Sequence, residues 1–134
     1  MNPLNPAIQN NLACVLLERA KVSVTNASQS GNQDETGQQA ESMESKLAEA
    51  LQLADQATAA MSHVAEFHDT RAQILAMMGR YEECVREFRT CLSLGLREAR
   101  IHRQLARHLQ TLGRTAEATE HADLEKQLSP VVED

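Results

Sequence analysis

Arg100, Arg103 and Arg107 stand at spacings i, i+3 and i+7, which puts three guanidinium groups on one face of a single helix. Guanidinium forks present fixed, paired donors that match carboxylates, so a row of them on a groove wall suits an acidic peptide segment. Nine of the ten basic residues beyond residue 62 are arginines, so this chemistry is concentrated in the second half of the chain. The formal net charge of −6 over 134 residues argues against general phosphate-backbone binding, which needs a broad excess of Lys and Arg. No nucleic-acid partner is expected.

The other candidate chemistries fall away on spacing. His63, His68, His102, His108 and His121 include no i,i+4 pair on one helix and no HExxH element, so no metal site is expected. Cys14, Cys84 and Cys91 are odd in number and lack CxxC spacing, which suggests neither a disulfide framework nor a zinc site and fits a reducing compartment. There is no Gly-rich phosphate loop, no GxSxG element and no paired-carboxylate or Cys/His/Asn arrangement. Glu82, Glu83 and Glu87 read as a solvated helix face. The chain is therefore expected to be no enzyme, with no catalytic residues and no cofactor. No apolar run approaches the roughly 20 residues that span a bilayer, and the amphipathic stretch at 46–61 lacks a basic rim, so no membrane partner is expected. A complete chain of this kind would be cytoplasmic; an excised domain would say nothing of export from its start.

The elements that must position these residues are helices. Aromatics make up 2% of the chain against 42% apolar residues overall, so the core must be built from Ala, Leu, Val, Met and Cys, which suits helices packed closely side by side. Three prolines and five glycines interrupt it, with little β-branched alternation. Met78-Gly79-Arg80-Tyr81-Glu82-Glu83-Cys84 is echoed by Leu112-Gly113-Arg114-Thr115-Ala116-Glu117-Ala118, and the two glycines are 34 residues apart. A fixed period of this size marks a helical repeat array. Anchored on the glycines, one repeat covers 65–98 and another 99–132. Ala72 and Leu75 precede the first turn, and Tyr81, Cys84, Phe88 and Cys91 follow it on one helix face. Ala106 and Leu109, then Ala118 and Ala122, take the same places one unit later, and Pro130 falls where the last helix should stop.

These residues resemble the tetratricopeptide repeat (TPR) family, whose helix-turn-helix unit carries apolar residues at these offsets, Gly and Tyr near the turn and Pro near the end. Cys84 and Cys91 take usual alanine places and read as small core residues, and His68 and His102 stand where the family often has an aromatic. Arg71 replaces an expected apolar residue and should weaken the first helix of its unit. A third copy is read at 6–64: Asn10-Asn11-Leu12-Ala13 with Leu16 begins it near Pro6, and Leu47, Ala50, Ala54 and Ala57 end it. About 25 surplus residues lie between, in Val22–Ser45, a polar stretch predicted to be a mobile loop at 22–45. The resemblance covers roughly 6–130 and looks most like the last repeats of a longer bacterial-type array. It implies an all-α, right-handed superhelical stack of three helical hairpins, an α-solenoid in a single domain spanning 1–134.

The resemblance also implies a concave groove lined by the first helix of each unit. By position, contacts would come from Ala7, Asn10, Asn11 and Cys14, then Glu66, Asp69, Thr70 and Gln73, then Arg100, Arg103, Gln104 and Arg107; the candidate groove is Asn10, Asn11, Gln73, Arg100, Arg103, Gln104 and Arg107. Cys14 and Thr70 stand where the family's carboxylate-clamp subgroup needs Asn, so that specialised role is rejected. Two readings of the arginine row stay open. It holds an acidic partner, or Glu66 and Asp69 on the neighbouring helix absorb Arg100 and Arg103 and leave Arg107 free. Glu125 and Lys126 replace Cys91 and Leu92 of the previous unit, as a solvated terminal repeat requires. Ile8, Leu12, Val15, Leu16 and Leu17 leave the first helix apolar, which upstream repeats, a homo-oligomer or inward packing would each explain. The leading expectation is a protein-interaction scaffold binding a partner segment in its groove; the alternative is the capping end of a larger multi-repeat protein, or a self-association module without a peptide ligand.

Overall fold

The computed structural model describes residues 4–30 and 33–128, with side chains described outside 23–42. Among the described residues all regular structure is helical: α1 (Pro6–Ser30), α2 (Gln33–Ala60), α3 (Ala65–Met77), α4 (Tyr81–Ser93), α5 (Ala99–Thr111) and α6 (Thr115–Leu128). None of these helices is long and apolar enough to cross a membrane. The expected stop at Pro130 lies outside the described residues. At the other end Asn5 caps α1: its Oδ1 accepts the Ala7 N–H at 2.8 Å, and Pro6 takes the first helical position, where no N–H is needed.

The two 34-spaced turns are the same object. Gly79 and Gly113 have φ of 77° and 78°, the left-handed region that glycine enters without a Cβ penalty. In each, the glycine N–H donates to the carbonyl three residues back (Ala76, Gln110) and the next N–H to the carbonyl five back (Leu75, Leu109). That pair of bonds closes the helix end and reverses the chain. Gly95 repeats the arrangement between α4 and α5, with bonds to Leu92 and Cys91. The hairpins α3–α4 and α5–α6 follow directly.

Among the described residues of 22–45 the predicted loop is not observed; residues 31 and 32 lie outside them. Residues 22–30 continue α1 and 33–45 belong to α2, so the insertion lengthens both helices. α1 has 25 residues and α2 has 28, against 13 in α3. Low apolar content denies a segment its own core, but adding a residue to an existing helix needs only one hydrogen bond per residue fixed. The four Gln, three Glu and two Ala of residues 22–45 are good helix formers. At about 1.5 Å rise per residue, α1 outreaches α3 by about 18 Å.

Two clusters form the core. Ala72, Leu75, Cys84, Val85, Phe88, Ile101, Leu105, Leu109 and Ala118 join α3 through α6. Ala13, Leu17, Ala20, Leu47, Ala50 and Ala54 join α1 to α2, and Ile74 of α3 inserts among them. Helix α3 thus serves both clusters from opposite sides, and Leu51 touches each. The row of buried alanines lets α1 and α2 approach closely. Cys84 and Cys91 are fully buried, as their spacing suggested; burial pushes both thiols up to about 12.

Two expectations about charged residues are corrected. Arg71 does not weaken α3. Its Nε lies 2.6 Å from Asp55 of α2 and its Nη1 2.9 Å from Glu87 of α4, so it ties three helices together. Glu87 is accordingly no solvated residue: its other oxygen accepts from His68 Nδ1 at 2.7 Å, while His68 Nε2 donates to the Ser62 carbonyl at 2.8 Å. Glu82 and Glu83 do lie on the surface, near Arg114 and Arg80.

Candidate partner-binding groove

Beside the apolar clusters, polar contacts also join the first helices of the three hairpins. Between α1 and α3, Cys14 Sγ lies 3.5 Å from Thr70 Oγ1. Between α3 and α5, Arg100 grips Asp69 with two nitrogens, Nη1 donating at 3.2 Å, and its Nε donates to Glu98 at 2.8 Å. The hydrogen bond to Asp69 raises the Arg100 guanidinium above its ordinary range.

Beside this seam lies a groove of about 340 Å³ that gathers Gln73 and Met77 of α3, Tyr81 of α4, Gln104, Arg107 and His108 of α5, and Lys21 of α1. Three of the expected groove residues meet there: Gln73, Gln104 and Arg107. Gln73 donates to Asp69 at 3.1 Å. Arg107 is exposed and its guanidinium makes no hydrogen bond or ion pair among the described residues. Tyr81 stacks on His108 with ring centres 5.2 Å apart, and the pair forms the aromatic floor.

The remaining four do not join them. Arg100 is taken by Asp69 and Glu98. Arg103 turns away to α6, its Nε 2.6 Å from Glu125, and not toward Glu66 or Asp69. Spacings of i, i+3 and i+7 fan over about 60° of a helix, enough for adjacent helices on either side to claim different members. Asn11 is exposed outside the groove lining, and Asn10 is half-buried with its Oδ1 enclosed and unbonded among the described residues. Lys21, Tyr81 and His108 were missed. Lys21 lies just before the expected loop, on α1 beyond Cys14, the last contact position expected of its repeat.

No protein-family model matches the sequence, and no curated protein matches it. Solved structures do. TTC0263, a thermophilic TPR protein in Thermus thermophilus, superposes with a TM-score of 0.61 at 18% identity, over 86% of this chain. The chain spans only 55% of that protein's length. MamA AMB-1 gives a TM-score of 0.61 at 16% identity, over 97% of this chain and 76% of that one. MamA MSR-1 gives 0.59 at 17% identity, over 94% and 78%. With the matched glycine turns and paired helices, these superpositions decide the architecture. The chain has the TPR fold.

Equivalent positions of the second and third TPR hairpins carry a difference with a consequence. His68 reaches Glu87, 19 residues on, in the second hairpin; His102 reaches His121, also 19 residues on, in the third. The two Nδ1 atoms of the His–His pair are 3.0 Å apart and the rings stack at 5.2 Å. One nitrogen must donate and the other accept, so a second proton is opposed. Burial lowers the pKa of both rings, with Arg97 acting on His102 and the His102 ring itself on His121. His108 is lowered too, by burial and by Arg107. No cluster of three or more His, Cys, Asp or Glu among the described residues is placed to hold a metal ion.

The sign of the pH effect follows. An unfolded histidine titrates near 6.5, and these three titrate lower in the folded chain, so in between the unfolded state binds more protons. Their contribution is present above about 6.5 and is lost as pH falls from there toward the native values. Melting followed by circular dichroism should show a lower midpoint at pH 5.5 than at pH 7.5. In His121→Glu, which copies the His68–Glu87 pair, the drop should shrink. An equal drop in both proteins would show that the pair is not its source.

Proposed function

We propose that this chain is a non-enzymatic protein-interaction module that holds an acidic segment of a partner protein in the groove formed by Gln73, Gln104 and Arg107 with Lys21 and Tyr81. The observation that carries this reading is Arg107, whose guanidinium has no partner among the described residues and is set beside two side-chain amides and an aromatic floor. An arginine fork with no competing carboxylate can take a ligand carboxylate, and glutamine amides can bond a peptide backbone. Of the neighbouring salt-bridged arginines, Arg100 belongs to the seam between the second and third hairpins, and Arg103 ties α5 to α6 within the third. Three free cysteines, two of them buried, suit a reducing cytoplasmic setting.

Binding of a fluorescent, Glu-rich decapeptide read by anisotropy tests this proposal. Arg107→Glu should weaken it roughly ten-fold, corresponding to about 1.4 kcal/mol, and added salt should weaken the wild type more than the variant. Arg103→Glu, outside the groove, should act less. Equal affinity of wild type and Arg107→Glu, or no binding by the wild type, removes the groove from consideration. One observation favours the second reading, a capping end of a larger multi-repeat protein: Thr119, Asp123 and Lys126 make the outward side of α6 polar. A cap with no ligand would bind no peptide of any charge.

A further inference from the structure

The groove that holds Gln73, Gln104 and Arg107 is basic on both margins. Helix α3 lies between α1 and α5, which it meets through the Cys14–Thr70 and Asp69–Arg100 contacts, so Lys21 enters the groove from one side and Arg107 and His108 from the other. Among the described residues no Asp or Glu belongs to its lining. Asp69, to which Gln73 donates, is already gripped by Arg100. Lys21 pairs with Glu18 at 3.2 Å, but this is an exposed i,i+3 contact worth at most about 1 kcal/mol, which a stronger anion can displace.

His108 differs from the other histidines packed in these hairpins. His68 commits both nitrogens to Glu87 and Ser62, and His102 and His121 bond each other. The His108 ring is held instead between Tyr81 and Phe88, with centres 5.2 and 6.4 Å away. Neither of its nitrogens makes a hydrogen bond among the described residues, and neither is sealed from solvent. Stacking therefore fixes a donor at the groove wall and leaves it unused.

We infer that the acidic group this groove takes is a phosphorylated side chain of the partner segment, with its phosphate set between Arg107, His108 and Lys21. The inference rests on this groove being the binding site, as proposed above. A carboxylate has one charge and two oxygens, which the Arg107 fork satisfies alone, leaving Lys21 and His108 idle. A phosphomonoester carries about −1.5 to −2 charges near pH 7 and three acceptor oxygens, enough to reach both margins and engage all three groups. The side-chain amides of Gln73 and Gln104 flank it and suit the peptide backbone on either side. A volume of about 340 Å³ admits the phosphate together with the side chain that bears it. The net charge of −6 opposes a polyanionic strand, whereas a single phosphate meets the local cations.

Anisotropy with the full chain and the Glu-rich decapeptide, carrying phosphoserine, glutamate or serine at its centre, tests this inference. The phosphoserine form should bind roughly ten-fold tighter than the glutamate form, and the serine form weakest. Lys21→Gln, at the groove margin, should remove most of that preference while changing affinity for the glutamate form by no more than about two-fold. His108→Phe, which keeps the ring stack and removes the nitrogens, should reduce the preference as well. The phosphorus NMR resonance of the bound phosphoserine should titrate below its free midpoint of about 6. Inorganic phosphate, which lacks a backbone for the amides, should displace the phosphopeptide weakly, and oligothymidylate should not displace it. Equal affinity for the phosphoserine and glutamate forms overturns the inference and leaves the groove standing; failure of all three forms to bind removes both. A preference that survives intact in Lys21→Gln and His108→Phe, or displacement by oligothymidylate, also overturns it.

Discussion

Phe88→Ala is expected to destabilise the protein by about 3–5 kcal/mol, a large share of the roughly 5–15 kcal/mol that holds a domain of this size together. Phe88 is fully buried where α3, α4, α5 and α6 meet, beside Leu75, Val85, Ile101, Leu105 and Leu109. Its ring also lies parallel to His108, with centres 6.4 Å apart. Only two phenylalanines and one tyrosine occur in the chain, so no other large ring can move into the space. The neighbours are anchored by both glycine turns, which limits collapse and leaves a cavity. Urea denaturation followed at 222 nm will read the loss. A decrease under about 1 kcal/mol would mean that the four helices close around alanine, contrary to the close packing expected of such a core.

Ile74→Ala should cost a comparable amount, about 2–5 kcal/mol, by a different route. Ile74 is the α3 side chain that enters the cluster of α1 and α2, so it belongs to the coupling between hairpins more than to either hairpin's own core. Stacked repeats owe their single transition to such nearest-neighbour contacts. Losing this one should allow the first hairpin to melt ahead of the other two. Tyr81, the single tyrosine, sits in the second hairpin and reports on it by fluorescence, while circular dichroism reports on all helices. In the variant the circular dichroism midpoint should fall below the Tyr81 midpoint; in Phe88→Ala the first hairpin should no longer be the weakest part. Coincident curves in Ile74→Ala would show that polar contacts such as Arg71–Asp55 and Cys14–Thr70 are enough to keep the stack cooperative.

The two variants also separate what a repeat contributes from what its neighbours contribute, and the charged residues follow the same division. Arg71 sits at a position that the repeat pattern would fill with an apolar residue, but Asp55 and Glu87 arrive from flanking helices and make it a clamp. His121 stands where Glu87 stands one hairpin earlier, and that exchange turns a carboxylate–imidazole contact into a pair of rings that resist a second proton.

The 34-residue period, the glycine turns at 79 and 113, and the buried places of Cys84, Phe88 and Cys91 were legible in the amino-acid order, because each depends on residues within a few helical turns and on a pattern stated twice. The groove was legible only in part. Gln73, Gln104 and Arg107 meet as their repeat positions suggested, but the fate of Arg100 and Arg103 depends on Asp69 and Glu125, 31 and 22 residues away on other helices. Which carboxylate reaches which guanidinium is decided by crossing angles and side-chain reach, quantities that spacing along one helix does not contain. The same limit applied to residues 22–45, whose polar composition describes how little they bury but not that two helices already under way would extend through them. Periodicity alone determined the repeat and its turns; the tertiary structure alone decided which charges stay open to a partner and how far the first hairpin reaches, since both result from cooperation between segments distant in the chain.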